Sequence, residues 1–208
     1  MAEELINTKD INTEKRILAA ARKIFHIKGL AGTRMQEIAD EAKINKAMLN
    51  YYFRSKDKLF EAVFKEAAGN FFPKVFQMIS VEAPLFEKIE KFIGGYISFL
   101  QNNRYIPGFI ISELSQNPQR LKEFFFENNI KPPEKFLLEI KEAVERNEIV
   151  KIEPTMLILN ILSLCIFPIV AKPIIETVFN MDEQKYNDMI ESRKKSVAQF
   201  IINAIKVK

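Results

Sequence analysis

The residues with the most distinctive chemistry in this sequence lie between positions 46 and 56. Lys46, Ala47, Asn50 and Tyr51 offer a cation, a methyl, a carboxamide and a phenol in quick succession. On a helical wheel of about 100° per residue these four share one arc, while Leu49, Tyr52 and Phe53 share the other, with Met48 at its edge. An asparagine carboxamide can bond adenine N6 and N7 together, and an alanine methyl can meet the methyl of thymine. Lys46, the Tyr51 hydroxyl and Lys56 suit phosphate oxygens, contacts that fix register rather than sequence. Lys56 falls in the first turn of a following helix, where unpaired backbone N–H groups favour an anion, and Thr33 stands in the same relation to an earlier one. A short solvated surface helix would show the same pattern, so the surrounding elements must decide.

Those elements read as three short helices and the start of a fourth. The first is expected from Thr13, as its cap, to about Lys28, stopping at Gly29, which tolerates positive φ. Its apolar residues Ile17, Leu18, Ala21, Ile24 and Phe25 fall on one face. Thr33 is expected to open the second helix, with Gln36 completing a capping box. Met35, Ile38, Ala39 and Ala42 form its inward side. A short turn at Lys43–Ile44 leads to Asn45, the expected cap of a third helix over 46–53, and Ser55 caps the fourth. Two short helices joined by a tight turn, the second polar on one side, make a helix-turn-helix.

Charge separates this head from the rest. Residues 1–60 hold 12 Lys/Arg against 8 Asp/Glu, and the remaining residues hold 19 of each, so the whole net charge of +4 lies in the first third. A basic head on a neutral body fits a polyanion-binding module joined to something else. Composition shifts at the same place. None of the nine prolines precedes Pro73, and only 3 of the 18 phenylalanines fall within residues 1–60. The expected fold is all-α, with a head over residues 1–60 and a larger helical body over 61–208.

The body reads as helices at about 55–80, 85–102, 106–116, 118–128, 132–147, 154–180 and 183–206, with no strand and no repeat. Pro73 should kink the first of these, Gly94-Gly95 should loosen the second, Pro132 and Pro133 suit a helix start, and Pro168 and Pro173 should bend the sixth. Phe72, Phe76, Phe92, Tyr96, Phe99, Phe109 and Phe125 could fill a core or line an apolar pocket for a small hydrophobic or aromatic effector. Stripes such as Leu157, Ile161 and Leu164, then Val197, Phe200 and Ile201, could be core or interface.

Several function classes are disfavoured. One cysteine, Cys165, and one histidine, His26, leave a zinc or disulfide framework almost no ligands. Cys165 reads as a small buried hydrophobe and His26 as a surface or capping residue. No nucleophile–base constellation, glycine-rich phosphate loop or supported carboxylate pair points to catalysis, and no metal or cofactor is expected. No apolar run has the roughly 18–20 residues of a membrane span, and the amino terminus lacks a secretory pattern. A reducing cytoplasm is the expected compartment.

Residues 33–59 carry a family resemblance. Thr33-Arg-Met-Gln-Glu-Ile-Ala, followed by Ile44-Asn-Lys-Ala-Met-Leu-Asn-Tyr-Tyr-Phe-Arg-Ser-Lys-Asp-Lys-Leu59, resembles the TetR family of bacterial regulators. Ile17-Leu-Ala-Ala-Ala-Arg-Lys-Ile-Phe25, with Lys28-Gly29, is similar to that family's first helix. The resemblance implies a homodimeric transcriptional regulator, a repressor whose two heads enter successive major grooves of a palindromic double-stranded DNA operator and leave it when a small effector binds the body. It implies that Lys46, Ala47 and Asn50 face bases, that Thr33, Tyr51 and Lys56 hold phosphates beside Arg34, and that the last two helices form a four-helix dimer interface. Two departures stand out. Asn50 replaces a common tyrosine, which shifts that position toward base reading, and Lys43 replaces a glycine common in the turn. The rival reading is a helical ligand- or partner-binding protein controlled by protein contact, and it leaves the concentration of charge in the head unexplained.

Overall fold

The computed structural model describes residues 2–131 and 133–207. Among the described residues eleven helices follow one another: α1 (Ala2–Gly32), α2 (Met35–Glu41), α3 (Lys46–Tyr52), α4 (Lys56–Ile79), α5 (Leu85–Asn102), α6 (Tyr105–Gln116), α7 (Pro118–Glu127), α8 (Glu134–Glu145), α9 (Pro154–Val170), α10 (Lys172–Val178) and α11 (Glu183–Ile205). The all-α expectation holds: β structure among the described residues is limited to one isolated bridge between Ile149 and Lys206. No single helix among them is long and apolar enough to cross a membrane.

Most ends fall where glycine, proline or asparagine predicted them, and the exceptions have local causes. α1 begins at Ala2 rather than at Thr13. Residues 2–12 contain neither glycine nor proline, so nothing stops the helix from propagating through the expected cap. The break at Gly29 is real: its φ of 64° and ψ of −176° lie in a region essentially confined to glycine. The expected cap of α2 is displaced by one residue. The Thr33 hydroxyl donates to the Gly29 carbonyl (2.7 Å), an acceptor left near the break. The cap position passes to Arg34, whose N–H donates to the Glu37 carboxylate (3.1 Å). Asn45 and Ser55 cap α3 and α4 as expected, accepting from the N–H groups of Met48 (2.7 Å) and Lys58 (3.2 Å). α4 carries Pro73, and α5 its Gly94-Gly95 pair, without a break. α9 and α10 meet at 70°, just before Pro173, and Pro168 stands inside α9. Of the two prolines expected at the start of α8, Pro133 is at its cap and Pro132 lies outside the described residues.

Among the described residues, four helices end on a left-handed non-glycine residue. Lys43, Asn129, Asn147 and Asn180 have φ between 48° and 54°. Each is followed by paired backbone bonds reaching back over the last turn, such as Ile44 N–H to Ala39 and Lys43 N–H to Asp40 (3.0 Å each). This is the Schellman arrangement, in which glycine and then asparagine are favoured because they tolerate the conformation.

The chain forms two compact units, Met1–Asn70 with Gly108–Phe124, and Phe71–Pro107 with Phe125–Lys208. The first is built on Ile17, Ala21, Phe25, Ile38, Leu49 and Phe60, all buried. Residues from α6 and α7 complete that core. The Phe109 ring meets those of Phe60 (5.3 Å) and His26 (4.8 Å), Phe124 meets Phe64 edge-on, and the Arg120 guanidinium lies over Phe60 (5.3 Å). Arg120 also pairs with the buried Glu113 (2.6 Å), where burial raises the carboxyl pKa and Arg120 opposes that shift. In the second unit α5 packs against α11, α9 and α8, presenting Ile89, Phe92, Ile93, Tyr96, Ile97 and Leu100 at helical spacing. Cys165 is buried there, and burial pushes its thiol up to about 12.

His26 departs from expectation. It is half-buried against Phe109 rather than on the surface, and its buried Nε2 has no hydrogen-bond partner among the described residues. Burial, reinforced by the Arg22 guanidinium and opposed by Glu66, lowers its pKa to about 4. Between pH 6.5 and 4 the unfolded chain therefore binds a proton that the folded chain does not, and stability falls as pH drops through that window. His26→Leu should lose less melting temperature than the wild type between pH 7 and pH 5. Equal losses in the two proteins would contradict this assignment.

Candidate nucleic-acid interface

The third helix is presented from its buried side. Leu49 is fully buried and Phe53 half-buried, while the Asn45 cap fixes the first turn. With that side held, Lys46, Ala47, Asn50 and Tyr51 all face outward, and Tyr51 is 80% exposed. Met48, read from the wheel as an edge residue, is exposed as well. Tyr52 is half-buried and meets Tyr51 edge-on, with ring centroids 5.5 Å apart. The four residues singled out by chemistry therefore share one accessible face.

The flanking cations are arranged differently. Arg34 is exposed at the head of α2. Lys56 is half-buried, and its ammonium donates to the Thr33 carbonyl (3.2 Å), which ties the approach to α2 to the first turn of α4. Thr33 itself is buried, with its hydroxyl on Gly29. Thr33 and Lys56 are thus brought together, but as mutual structural partners in addition to whatever they offer a phosphate.

Arg16 was not singled out in the sequence, and it lies at the centre of this arrangement. Its guanidinium donates to the carbonyls of Ala42 (2.7 Å) and Lys43 (3.2 Å), the turn between α2 and α3. An ion pair between Lys23 and Glu41 (2.8 Å) is a second tie between α1 and the end of α2. The signal was present: a lysine where the turn favours glycine implies a left-handed conformation costing about 1–2 kcal/mol, hence a need for support nearby.

In the second unit six of the seven aromatic residues proposed for a pocket fall into one connected set. Phe72, Phe76 and Phe125 touch one another, with Phe72 and Phe125 at 4.8 Å, and Phe92 stacks on Tyr96 at 5.4 Å. Phe71, not among those proposed, joins the groups by meeting Phe72, Tyr96 and Phe99. Phe109 is not part of this set; it belongs to the core of the first unit, against Phe60 and Phe64.

The apolar stripes of the last helices also sort by face. Leu157, Ile161, Val197 and Ile201 are buried within the single chain and Leu164 is half-buried, whereas Phe200 is 65% exposed. Beside the buried stripe α9 exposes Leu159 and Phe167, and α10 with its C-cap exposes Ile174, Val178 and Phe179. α9 is apolar on all sides, so periodicity shows that stripes exist without showing which one faces inward.

Comparison with known proteins bears on both units. Residues 17–63 match the family described as "Bacterial regulatory proteins, tetR family". Along most of its length the chain is similar to the "Probable HTH-type transcriptional regulator YttP" of Bacillus subtilis (strain 168), at 26% identity over 174 residues, 82% of this chain and 84% of that one. Over 59 residues, 28% of each chain, it is 42% identical to the HTH-type transcriptional repressor NicS of Pseudomonas putida. Its fold is that of the transcriptional regulator FadR from Bacillus subtilis in complex with stearoyl-CoA, with a TM-score of 0.59 at 19% identity over 92% of this chain and 98% of that one.

Leu49 and Asn50, adjacent in sequence, should separate support from reading. Leu49→Ala should cost about 2–5 kcal/mol of stability in urea unfolding, through the cavity it leaves. Asn50→Ala should leave stability nearly unchanged and cost about 1–3 kcal/mol of discrimination at one base pair per half-site in competition binding. Loss of stability without loss of discrimination in Asn50→Ala would refute the division.

Proposed function

Because this chain belongs to the TetR family of bacterial regulatory proteins, we propose that it is a homodimeric repressor that leaves a palindromic operator when an apolar small molecule occupies its second unit. The family and the relatives above are transcriptional regulators, and binding DNA is the activity they share. The observation that carries the reading is the outward face of α3, where Lys46, Ala47, Asn50 and Tyr51 stand together over a buried Leu49. That face offers a bidentate carboxamide and a methyl for base edges, and a cation and a phenol for the backbone. Lys46, Tyr51, Lys56, Arg34 and the N–H groups near Thr33 are the proposed phosphate contacts, with residues 1–60 as the DNA-binding segment and 61–208 as the effector-binding and dimerising one.

Repression as the direction of control is supported by NicS, which is named a repressor. An apolar effector is supported by the connected aromatic set around Phe71 and Phe72, and by the acyl thioester bound to FadR. Dimerisation is supported by the apolar face that α9, α10 and α11 leave exposed, which is of the kind obligate interfaces bury. The proposed contact includes Phe200 and Leu164, with Ile174, Val178 and Phe179, while Leu157, Ile161, Val197 and Ile201 support it from within the core.

Selection from a random duplex library should recover a palindromic site bound in the nanomolar range, with affinity falling steeply as salt rises. Recovery of no duplex, or binding indifferent to salt, would overturn the reading. In sedimentation at micromolar concentration the wild type should be a dimer. Phe200→Glu with Ile174→Glu should shift it toward monomer while keeping the helical circular dichroism, and an unchanged dimer would place the interface elsewhere.

A further inference from the structure

The orientation of α3 depends on a turn that its own sequence does not favour. Of the four left-handed non-glycine residues among the described residues, three are asparagine and the fourth is Lys43. Asparagine tolerates this conformation through its short polar side chain, and lysine has no such advantage. The turn at Lys43 is also the one on which function depends, because only Ile44 and Asn45 separate it from the first residue of α3. A small rotation of the Ala42–Lys43 or Lys43–Ile44 peptide would swing the reading face as a whole.

Arg16 grips both of those peptides. It donates to the Ala42 and Lys43 carbonyls, neither of which is used by the Schellman bonds to Ala39 and Asp40. Its positive charge also sits at the carbonyl end of α2, the favourable end for a cation. Two turns further along α1, the Lys23–Glu41 pair keeps the same two helices together. We infer that Arg16 is a positioning residue for DNA recognition, which locks the left-handed turn at Lys43 and thereby fixes the angle at which α3 enters the groove. It acts through protein carbonyls rather than through a phosphate. This rests on the regulator reading above and adds to it a residue that need not touch DNA.

The two roles leave different signatures. A phosphate contact contributes to all duplexes alike and steepens the salt dependence of binding by about 0.9 in log–log slope. A positioning residue affects mainly the duplex whose base edges must meet the helix. The test uses the full chain, the tightest duplex recovered from the random library with wild-type protein, and a shuffled duplex of equal length. Arg16→Met removes the donors and keeps an apolar stem. It should weaken the selected duplex about tenfold and the shuffled one less than twofold, with the salt slope unchanged. Arg16→Lys should restore part of the loss. The double variant Arg16→Met with Lys43→Gly should recover most of it, because glycine holds a left-handed turn unaided. It also serves if Arg16→Met alone folds poorly. A shallower salt slope, an equal loss on both duplexes, or no recovery with Gly at position 43 would overturn the inference. Failure of the wild type to select any duplex would instead overturn the regulator reading itself.

Discussion

A helix can present polar side chains to a ligand at a defined angle only if its opposite side is immobilised, and in this protein that constraint falls on Leu49. α3 has seven residues, too few to be stable by propensity, so it persists because one leucine is fully buried and one asparagine caps it. Leu49 is in turn one of the buried residues of the first unit, with Ile17, Ile38 and Phe60, and α3 packs against α2. The outward face is therefore a by-product of packing: once Leu49 and Phe53 point inward, the 3.6-residue period leaves Lys46, Ala47, Asn50 and Tyr51 no other direction.

That core is not local in sequence. Phe109, Glu113, Arg120 and Phe124 come from the middle of the chain and pack among residues of the first four helices. Arg120 lies over two aromatic rings and pairs with a carboxylate that is itself buried, an arrangement whose charges balance only while both partners are in place. The segment Gly108–Phe124 is thus an integral part of the unit that carries α3, and the chain enters and leaves that segment from the other unit.

The fold was largely legible because most of its helices are periodic and bounded by punctuating residues, as at Gly29, Asn129, Asn147 and Pro173. The outward face of α3 was legible for the same reason, since a wheel needs only spacing. What escaped depended on partners distant in sequence. Thr33 could not be known to spend its hydroxyl on Gly29, nor His26 to lie under Phe109, before the chain was folded. Arg16 is 26 residues from the carbonyl it holds. Whether the stripe of Leu157 and Ile161 is core or interface stayed open for another reason: α9 is predominantly apolar, and periodicity carries little information where polarity hardly alternates.

Cys165 has a practical consequence. It is the chain's one cysteine, it is buried in the second unit, and its thiol is held far from the thiolate that reacts with alkylating agents. The native protein should therefore react only slowly with maleimides and nitroxide reagents. A cysteine introduced on an exposed site of α3 or α11 could be labelled selectively without first replacing Cys165. In the dimer proposed above, spin–spin distances between two such labels would then measure the separation of the two α3 helices in solution, with the protein's own core left intact.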